Sequence, residues 1–123
     1  MSDLFPSAAP DLDALVPGWL DRSQAASVLG VTPAKVRTMV RDHELAAAVP
    51  ASGGGPHVPV DFLQDGFVVK GLPGLLTLLH DAGFDDRESI AWIFTDAGLP
   101  GRPIDALREN RGAEVKRRAQ ALA

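Results

Sequence analysis

The sequence predicts a mainly α-helical protein with one small β-hairpin, and three observations support this fold class. Capping residues mark two helix starts, at Asp21 and Thr32. Apolar residues recur at three- and four-residue spacing over much of the chain, as on the buried face of a helix. Residues 46–60 are instead rich in proline and glycine, with short apolar runs on both sides of three consecutive glycines. Helices should therefore dominate, with paired strands confined to residues 46–60.

Length and composition indicate a globular protein. The 123 residues suffice for one domain, or for two very small ones that share a core. No apolar run reaches the roughly 18 residues of a membrane span, and no cationic leader precedes an apolar segment at the start. The absence of cysteine excludes disulfides and thiolate chemistry. We expect a cytoplasmic protein without membrane contact.

Residues 1–18 are predicted to be a mobile acidic N-terminal tail, because they combine three prolines with acidic residues. Residues 1–21 contain no Lys or Arg and four aspartates, which equal the whole net charge of −4: Asp3, Asp11, Asp13 and Asp21. Residues 22–70 hold five cations and four acidic residues. The negative total therefore does not exclude a nucleic-acid partner.

Residues 21–45 are predicted to form two short helices joined by a tight turn. Asp21 is the first N-cap, and Gly30 lies where the first helix should end. Thr32 is the second N-cap, and Pro33 takes the first helical position, where a missing N–H is tolerated. A turn of three or four residues that contains glycine is typical of a helix-turn-helix.

The second helix, predicted over residues 33–42, has one apolar and one basic face. Val36, Met39 and Val40 should face inward. In a helix-turn-helix the second helix enters the major groove, where cations meet phosphates or guanine edges. The residues predicted to contact DNA are Arg22, Thr32, Lys35, Arg37, Thr38, Arg41 and His57. From spacing alone, an ordinary helical hairpin with solvated cations is the alternative.

The glycine-rich segment is predicted to be a hairpin, or wing. Residues 46–49 and 57–60 supply its strands, residues 53–55 its tip, and the prolines confine the strands to edge positions. The pattern does not favour a phosphate-binding loop, since neither a Lys followed by Ser or Thr nor a helix follows the glycines.

The run LDRSQAASVLGVTPAKVRTMVRDHEL, followed by a hairpin that ends in HVPVDFL, resembles the winged helix-turn-helix of the MerR and excisionase type. With KGLPGLLTLLHDAGF, GRPIDAL and RRAQALA, the chain from about Trp19 is similar to a small actinobacterial family of winged helix-turn-helix DNA-binding regulators. The resemblance implies that residues 33–42 read double-stranded DNA and that basic wing residues add phosphate contacts. Here the wing departs from the family, because only His57 can carry a positive charge in it.

The resemblance gives the domain division. A winged helix-turn-helix DNA-binding domain should span residues 19–63, and a C-terminal helical domain for interaction or dimerisation should span 64–123. The helices predicted in the second domain cover residues 73–82, 87–96, 104–109 and 113–122.

The C-terminal helices admit two functional interpretations. Residues 90–122 resemble, more loosely, the toxin-binding domain of Xre-type antitoxins, which implies a protein partner. Their basic residues form either a second DNA-contacting patch or a solvated helix face; they are Arg108, Arg111, Lys116, Arg117 and Arg118.

No pattern of catalytic or metal-binding residues is present. His43, His57 and His80 are too far apart to ligate a metal from one element, and no cysteine can complete a zinc site. Gly-x-Ser-x-Gly and HExxH are absent. We expect no enzyme activity, no metal and no cofactor.

The sequence therefore predicts a nucleoid-associated, double-stranded DNA-binding transcriptional regulator, with a homodimer formed through the C-terminal helices. The alternative is a protein-interaction module, such as an antitoxin-like adaptor, with a vestigial helix-turn-helix.

Overall fold

The computed structural model describes residues 12–96 and 101–122, which contain seven α-helices and four two-residue β-strands. In chain order these are α1 (Leu12–Leu15), β1 (Trp19–Leu20), α2 (Arg22–Leu29), α3 (Pro33–Arg41), β2 (Val58–Pro59), β3 (Leu63–Gln64), β4 (Phe67–Val68), α4 (Leu72–Asp81), α5 (Asp86–Ile93), α6 (Pro103–Arg108) and α7 (Gly112–Gln120). The strands form two antiparallel pairs. The predicted mainly α class with a minor β content is confirmed. Within the described residues, no helix has the length and apolar character that a membrane span requires.

The helix-turn-helix forms where its capping residues place it. Asp21 accepts the backbone N–H of Gln24 at 2.8 Å, and the Gln24 amide oxygen accepts the N–H of Asp21 at the same distance. Gly30 ends α2 with a φ of 70°. The Thr32 hydroxyl accepts the N–H of Lys35 at 3.1 Å and so caps α3. Each predicted cap is confirmed. The contacts of a cap are local in sequence, so the residue pattern predicts them.

The wing differs from the predicted two-stranded hairpin. Its two arms meet at a single bridge, in which Ala48 and His57 exchange backbone hydrogen bonds of 3.0 and 2.8 Å. The second arm continues as β2, which pairs with β1 instead of with residues 46–49. Pro50 and Pro56 explain the short ladder, since proline donates no backbone hydrogen bond.

The described part of the predicted tail, residues 12–18, is not free of the fold. Leu12 and Val16 are buried, at 2% and 3% exposure, and Leu12–Leu15 form α1, which packs against α5. The carboxylate of Asp13 also accepts the indole N–H of Trp19 at 3.0 Å. The spacing of Leu12 and Val16 places both on one helical face, and that face is covered. The rest of the predicted tail, residues 1–11, lies outside the described residues.

A second hairpin, β3–β4, lies in a segment for which no strand is predicted. Asp65 and Gly66 form its two-residue loop, with φ values of 56° and 84°. Positive φ at both loop residues is the requirement of a type I′ turn, and Asp-Gly is one of its preferred sequences.

The C-terminal helices begin and end within a few residues of the predicted positions. The largest difference is in α5, which ends at Ile93 instead of residue 96. Residues 97–100 lie outside the described part of the chain.

One contiguous core joins the two halves of the chain. We call residues 12–63 the head and residues 64–122 the C-terminal region. Buried residues of the head, such as Leu45 and Phe62, belong to the same cluster as the buried leucines of α4 and Val115 of α7. Phe62 stacks on Phe94 with ring centroids 5.6 Å apart. The guanidinium of Arg108 adds polar contacts, donating to the carbonyl oxygens of Asp61 and Leu63 at 2.9 Å each.

Candidate nucleic-acid interface

The outer face of α3 is basic and carries no acidic residue. Val36 and Met39 are buried and define the inner face of the helix. At about 100° per residue, Arg41 projects opposite that face with Arg37 about 40° from it, and Lys35 lies on the other flank, about 120° from Arg41. All three cations are exposed. Together they can meet an anionic surface along most of the exposed circumference of the helix.

Three arginines surround an apolar groove between α3 and the wing. Its cavity volume is about 230 Å³. Arg22 at the start of α2 lies beside it with Arg37 and Arg41. The remaining lining is apolar and comprises Val36, Val40, Ala47, Pro56 and Val58. The structure thus places Arg22 beside Arg37 and Arg41, whereas Lys35 does not line the groove.

The two threonine hydroxyls of the predicted set already make local hydrogen bonds. The Thr32 hydroxyl oxygen accepts the N–H of Lys35, so its own O–H remains available to a phosphate. The Thr38 hydroxyl donates to the carbonyl oxygen of Ala34 at 3.2 Å, a long distance for an O–H donor. A base or phosphate acceptor can compete for that donor.

His57, the remaining predicted contact, lies on the wing with its ring turned to its own loop. Its Nδ1 is 2.8 Å from the carbonyl oxygen of Gly55, and the residue is half-buried. With Nδ1 as the donor of this bond, only Nε2 is left to reach a phosphate. No Lys or Arg lies between residues 46 and 60.

Arg41 has a competing partner at the end of its helix. Its Nε is 3.3 Å from the carboxylate of Asp42, and the two side chains are 73% and 50% exposed. An exposed pair of this kind contributes at most about 1 kcal/mol, so a phosphate can replace the carboxylate.

The basic residues of the C-terminal region have different structural roles. Arg108 joins α6 to the end of the head, and Arg111 pairs with Glu109 and Glu114 at 2.8 and 3.3 Å. These two carboxylates also raise the pKa of Arg111 through their hydrogen bonds to its guanidinium. Arg117 and Arg118 are exposed on α7. A second basic patch in the C-terminal region is therefore limited to the exposed cations of α7.

Two histidines that are far apart in the sequence are in contact in the fold. The rings of His43 and His80 stack with centroids 3.8 Å apart, and Nε2 of His80 is 2.9 Å from a carboxylate oxygen of Asp86. The sequence offered no signal for this cluster, because its members come from the end of α3, the end of α4 and the start of α5.

Comparisons with known proteins agree with this architecture. Residues 5–63 match the family model described as "DNA-binding protein Rv2175c, wHTH domain", and residues 69–123 match "Rv2175c C-terminal domain of unknown function". A relative named DNA-binding protein Rv2175c, from Mycobacterium tuberculosis (strain ATCC 25618 / H37Rv), is 43% identical over 117 residues, which cover 84% of this chain and 79% of the relative.

A solved structure, the NMR structure of Rv2175c, superposes with a TM-score of 0.74 at 40% identity. It covers 86% of this chain, which in turn covers 81% of the solved one. Both family models and the relative together span nearly the whole chain. The chain therefore belongs to the Rv2175c family, with a winged helix-turn-helix domain followed by the family's C-terminal domain.

Proposed function

We propose that this protein binds double-stranded DNA with α3 in the major groove and thereby regulates transcription. The observation that carries the proposal is the outer face of α3, which presents Lys35, Arg37 and Arg41 and no acidic residue. The family supports it, since the model that matches the head and the M. tuberculosis relative are both described as DNA-binding. We infer from DNA as the ligand that the protein acts on the nucleoid, in the cytoplasm.

The positions of the cations assign a role to each in this proposal. Arg41, opposite the buried face of α3, points to the floor of the DNA major groove and is the best placed to meet a guanine edge. Lys35 and Arg37, on opposite sides of Arg41, are suited to the two phosphate backbones. Arg22, at the start of α2, borders the same apolar groove and is suited to a phosphate beyond the recognition helix. Thr38 lies near bases, and Thr32 near a phosphate.

The docking mode follows the MerR and excisionase arrangement, with one difference. Because the wing carries no Lys or Arg, His57 is its only candidate phosphate contact. We therefore infer that a single head binds weakly. Two heads on a two-fold site would raise the affinity, so we propose a homodimer that forms through the C-terminal helices. Protein that remains monomeric in sedimentation equilibrium, both alone and on saturating DNA, contradicts the dimer.

The test of DNA binding is fluorescence anisotropy of labelled genomic duplexes at several salt concentrations. If three or four cations neutralise phosphates, log K should fall with log salt with a slope of about −3 to −4. The Lys35→Ala/Arg37→Ala variant removes two of these cations, so its slope should drop by about 2 and its affinity at low salt should fall steeply.

The matched control is Arg117→Ala/Arg118→Ala, which removes the same charge from the exposed face of α7. This control should bind like the parent protein. Equal losses in the two variants would mean that α7 or the net charge contributes as much as α3, which contradicts α3 as the main DNA contact. Absence of binding at low salt contradicts the proposal.

A second candidate function, a protein-interaction module of the antitoxin-adaptor type, is favoured by one surface feature. Trp92 lies half-buried in a shallow open groove on α5 with Phe84 and Ala91. Aromatic side chains of this kind are frequent anchors of protein interfaces. A Trp92→Ala variant that no longer captures a protein partner but still binds DNA would support this second function in addition to DNA binding.

A further inference from the structure

We propose that His43, His80 and Asp86 bind a single Zn²⁺ ion at the junction of the head and the C-terminal region. One possible ligand atom from each residue lies within 4.8 Å of those of the other two. His43 follows α3, His80 lies in the last turn of α4, and Asp86 begins α5. An ion at this point would tie the end of the recognition helix to two helices of the C-terminal region, α4 and α5.

The first support is a buried nitrogen without a partner. Nδ1 of His43 is buried and makes no hydrogen bond within the described structure. A buried polar atom without a partner destabilises a fold, so such atoms call for a specific explanation. An ordinary His80–Asp86 ion pair accounts for two residues of the cluster and leaves His43 unexplained. A metal ion accounts for all three.

The second support is the way the carboxylate is held. One oxygen of Asp86 is 2.9 Å from His80, and the other accepts the backbone N–H of Ala47 at 3.2 Å. Asp86 pairs with no Lys or Arg in the part of the chain that the structure describes. Apart from His80, its carboxylate has no basic partner among the described residues and can compensate a metal cation, and the bond from Ala47 orients it as outer-sphere donors orient metal ligands.

The third support is access and polarity. The side chains of His80 and Asp86 are 20% and 25% exposed, so an ion can enter from solvent while the surroundings remain partly dry. Two neutral imidazoles with one carboxylate form the donor set of many zinc sites that keep a water molecule as fourth ligand. Mg²⁺ and Ca²⁺ prefer oxygen ligands and are not expected here.

Binding requires a small rearrangement of the cluster. Ligand atoms around a tetrahedral Zn²⁺ are about 3.3 Å apart, given bonds of about 2.0–2.1 Å. The His80–Asp86 distance of 2.9 Å must therefore open slightly, and the stacked rings must tilt so that one nitrogen of each faces the ion. His43 adopts a φ of 62° just after the helix. Its side chain is carried by a turn and can adjust without disturbing α3.

The test uses the tag-free, full-length chain after metal removal, with Co²⁺ as a spectroscopic substitute for Zn²⁺. One equivalent of Co²⁺ should produce the visible absorption of a tetrahedral site, and Zn²⁺ should abolish that absorption. In thermal unfolding, Zn²⁺ at a hundredfold excess over Kd should raise Tm by about 10 °C. Both readouts are independent of DNA binding, so failure here and failure of the proposed function are distinguishable.

Three variants locate the ion. His43→Asn keeps a residue that tolerates positive φ, and Asp86→Asn keeps an acceptor for Ala47, so both should fold. Each should lose the Co²⁺ spectrum and the Tm shift. His57→Asn, at the histidine outside the cluster, should keep both. Absence of a tetrahedral spectrum overturns the proposal, and so does a spectrum or Tm shift that persists in His43→Asn and Asp86→Asn.

Discussion

At Gly30 the turn of the helix-turn-helix depends on a single backbone conformation. Its φ of 70° lies in the left-handed region, and its position lets the N–H of Val31 reach the carbonyl oxygen of Ala26 at 3.0 Å. A Cβ atom built on Gly30 would meet no atom within 4 Å. Any loss of stability on substitution is therefore conformational and not steric.

Gly30→Ala should lower the free energy of unfolding by about 1 kcal/mol, because alanine is disfavoured at positive φ. Gly30→Asn should lower it less, since asparagine visits this region more readily. Urea denaturation followed by circular dichroism measures both. The control is Gly112→Ala, whose Cβ would lie an ordinary 3.6 Å from Leu107 and should leave stability unchanged or slightly raised. A Gly30→Ala variant as stable as the parent would contradict this account of the turn.

At the scale of elements, α6 depends on an ion pair at its start. The carboxylate of Asp105 accepts the backbone N–H of Arg102 at 3.1 Å and two guanidinium N–H groups at 3.0 Å each. The guanidinium hydrogen bonds lower the pKa of Asp105 against the opposing effect of burial, and the same bonds raise the pKa of Arg102.

Because the pKa of Asp105 is lower in the folded state, its contribution to stability is present above the unfolded pKa of about 4 and is lost as the pH falls through the folded value. Asp105→Asn should destabilise the protein at pH 7 by about 1 kcal/mol or less, given the exposure of the pair. The difference from the parent should shrink below about pH 4. Urea denaturation at pH 7, 5 and 3 tests this, with the exposed Asp81→Asn as control. A difference that is constant over this range would rule out the ion pair as its cause.

Elements that are specified by neighbouring residues could be predicted from the sequence. The caps of α2 and α3 are made by side chains within three residues of the helix start, so their pattern is readable. The Asp65-Gly66 loop is a sequence signal for the β3–β4 hairpin as well, although no strand is predicted beside it. The pairing of β2 with β1 could not be predicted, because it joins segments on opposite sides of the helix-turn-helix.

At the scale of the whole molecule, the candidate sites depend on contacts that sequence does not display. The basic face of α3 follows from helical periodicity, and its residues were predictable. The groove between α3 and the wing, and the cluster of His43 with His80, require the tertiary fold. Likewise, the sequence cannot tell that Arg108 binds backbone carbonyls while Arg117 remains in solvent.

The contiguous core predicts that the head and the C-terminal region unfold together. The chain has two tryptophans, Trp19 in the head and Trp92 on α5, so each half carries its own fluorescent probe. Trp92→Phe leaves only the head visible, and Trp19→Phe leaves only the C-terminal region. Buried residues of both halves share one cluster, and Arg108 links the two halves. In each single-tryptophan protein, urea unfolding followed by fluorescence should therefore have the same midpoint as unfolding followed by circular dichroism. Fluorescence and circular dichroism midpoints that separate in either variant would instead show that one half unfolds while the other persists.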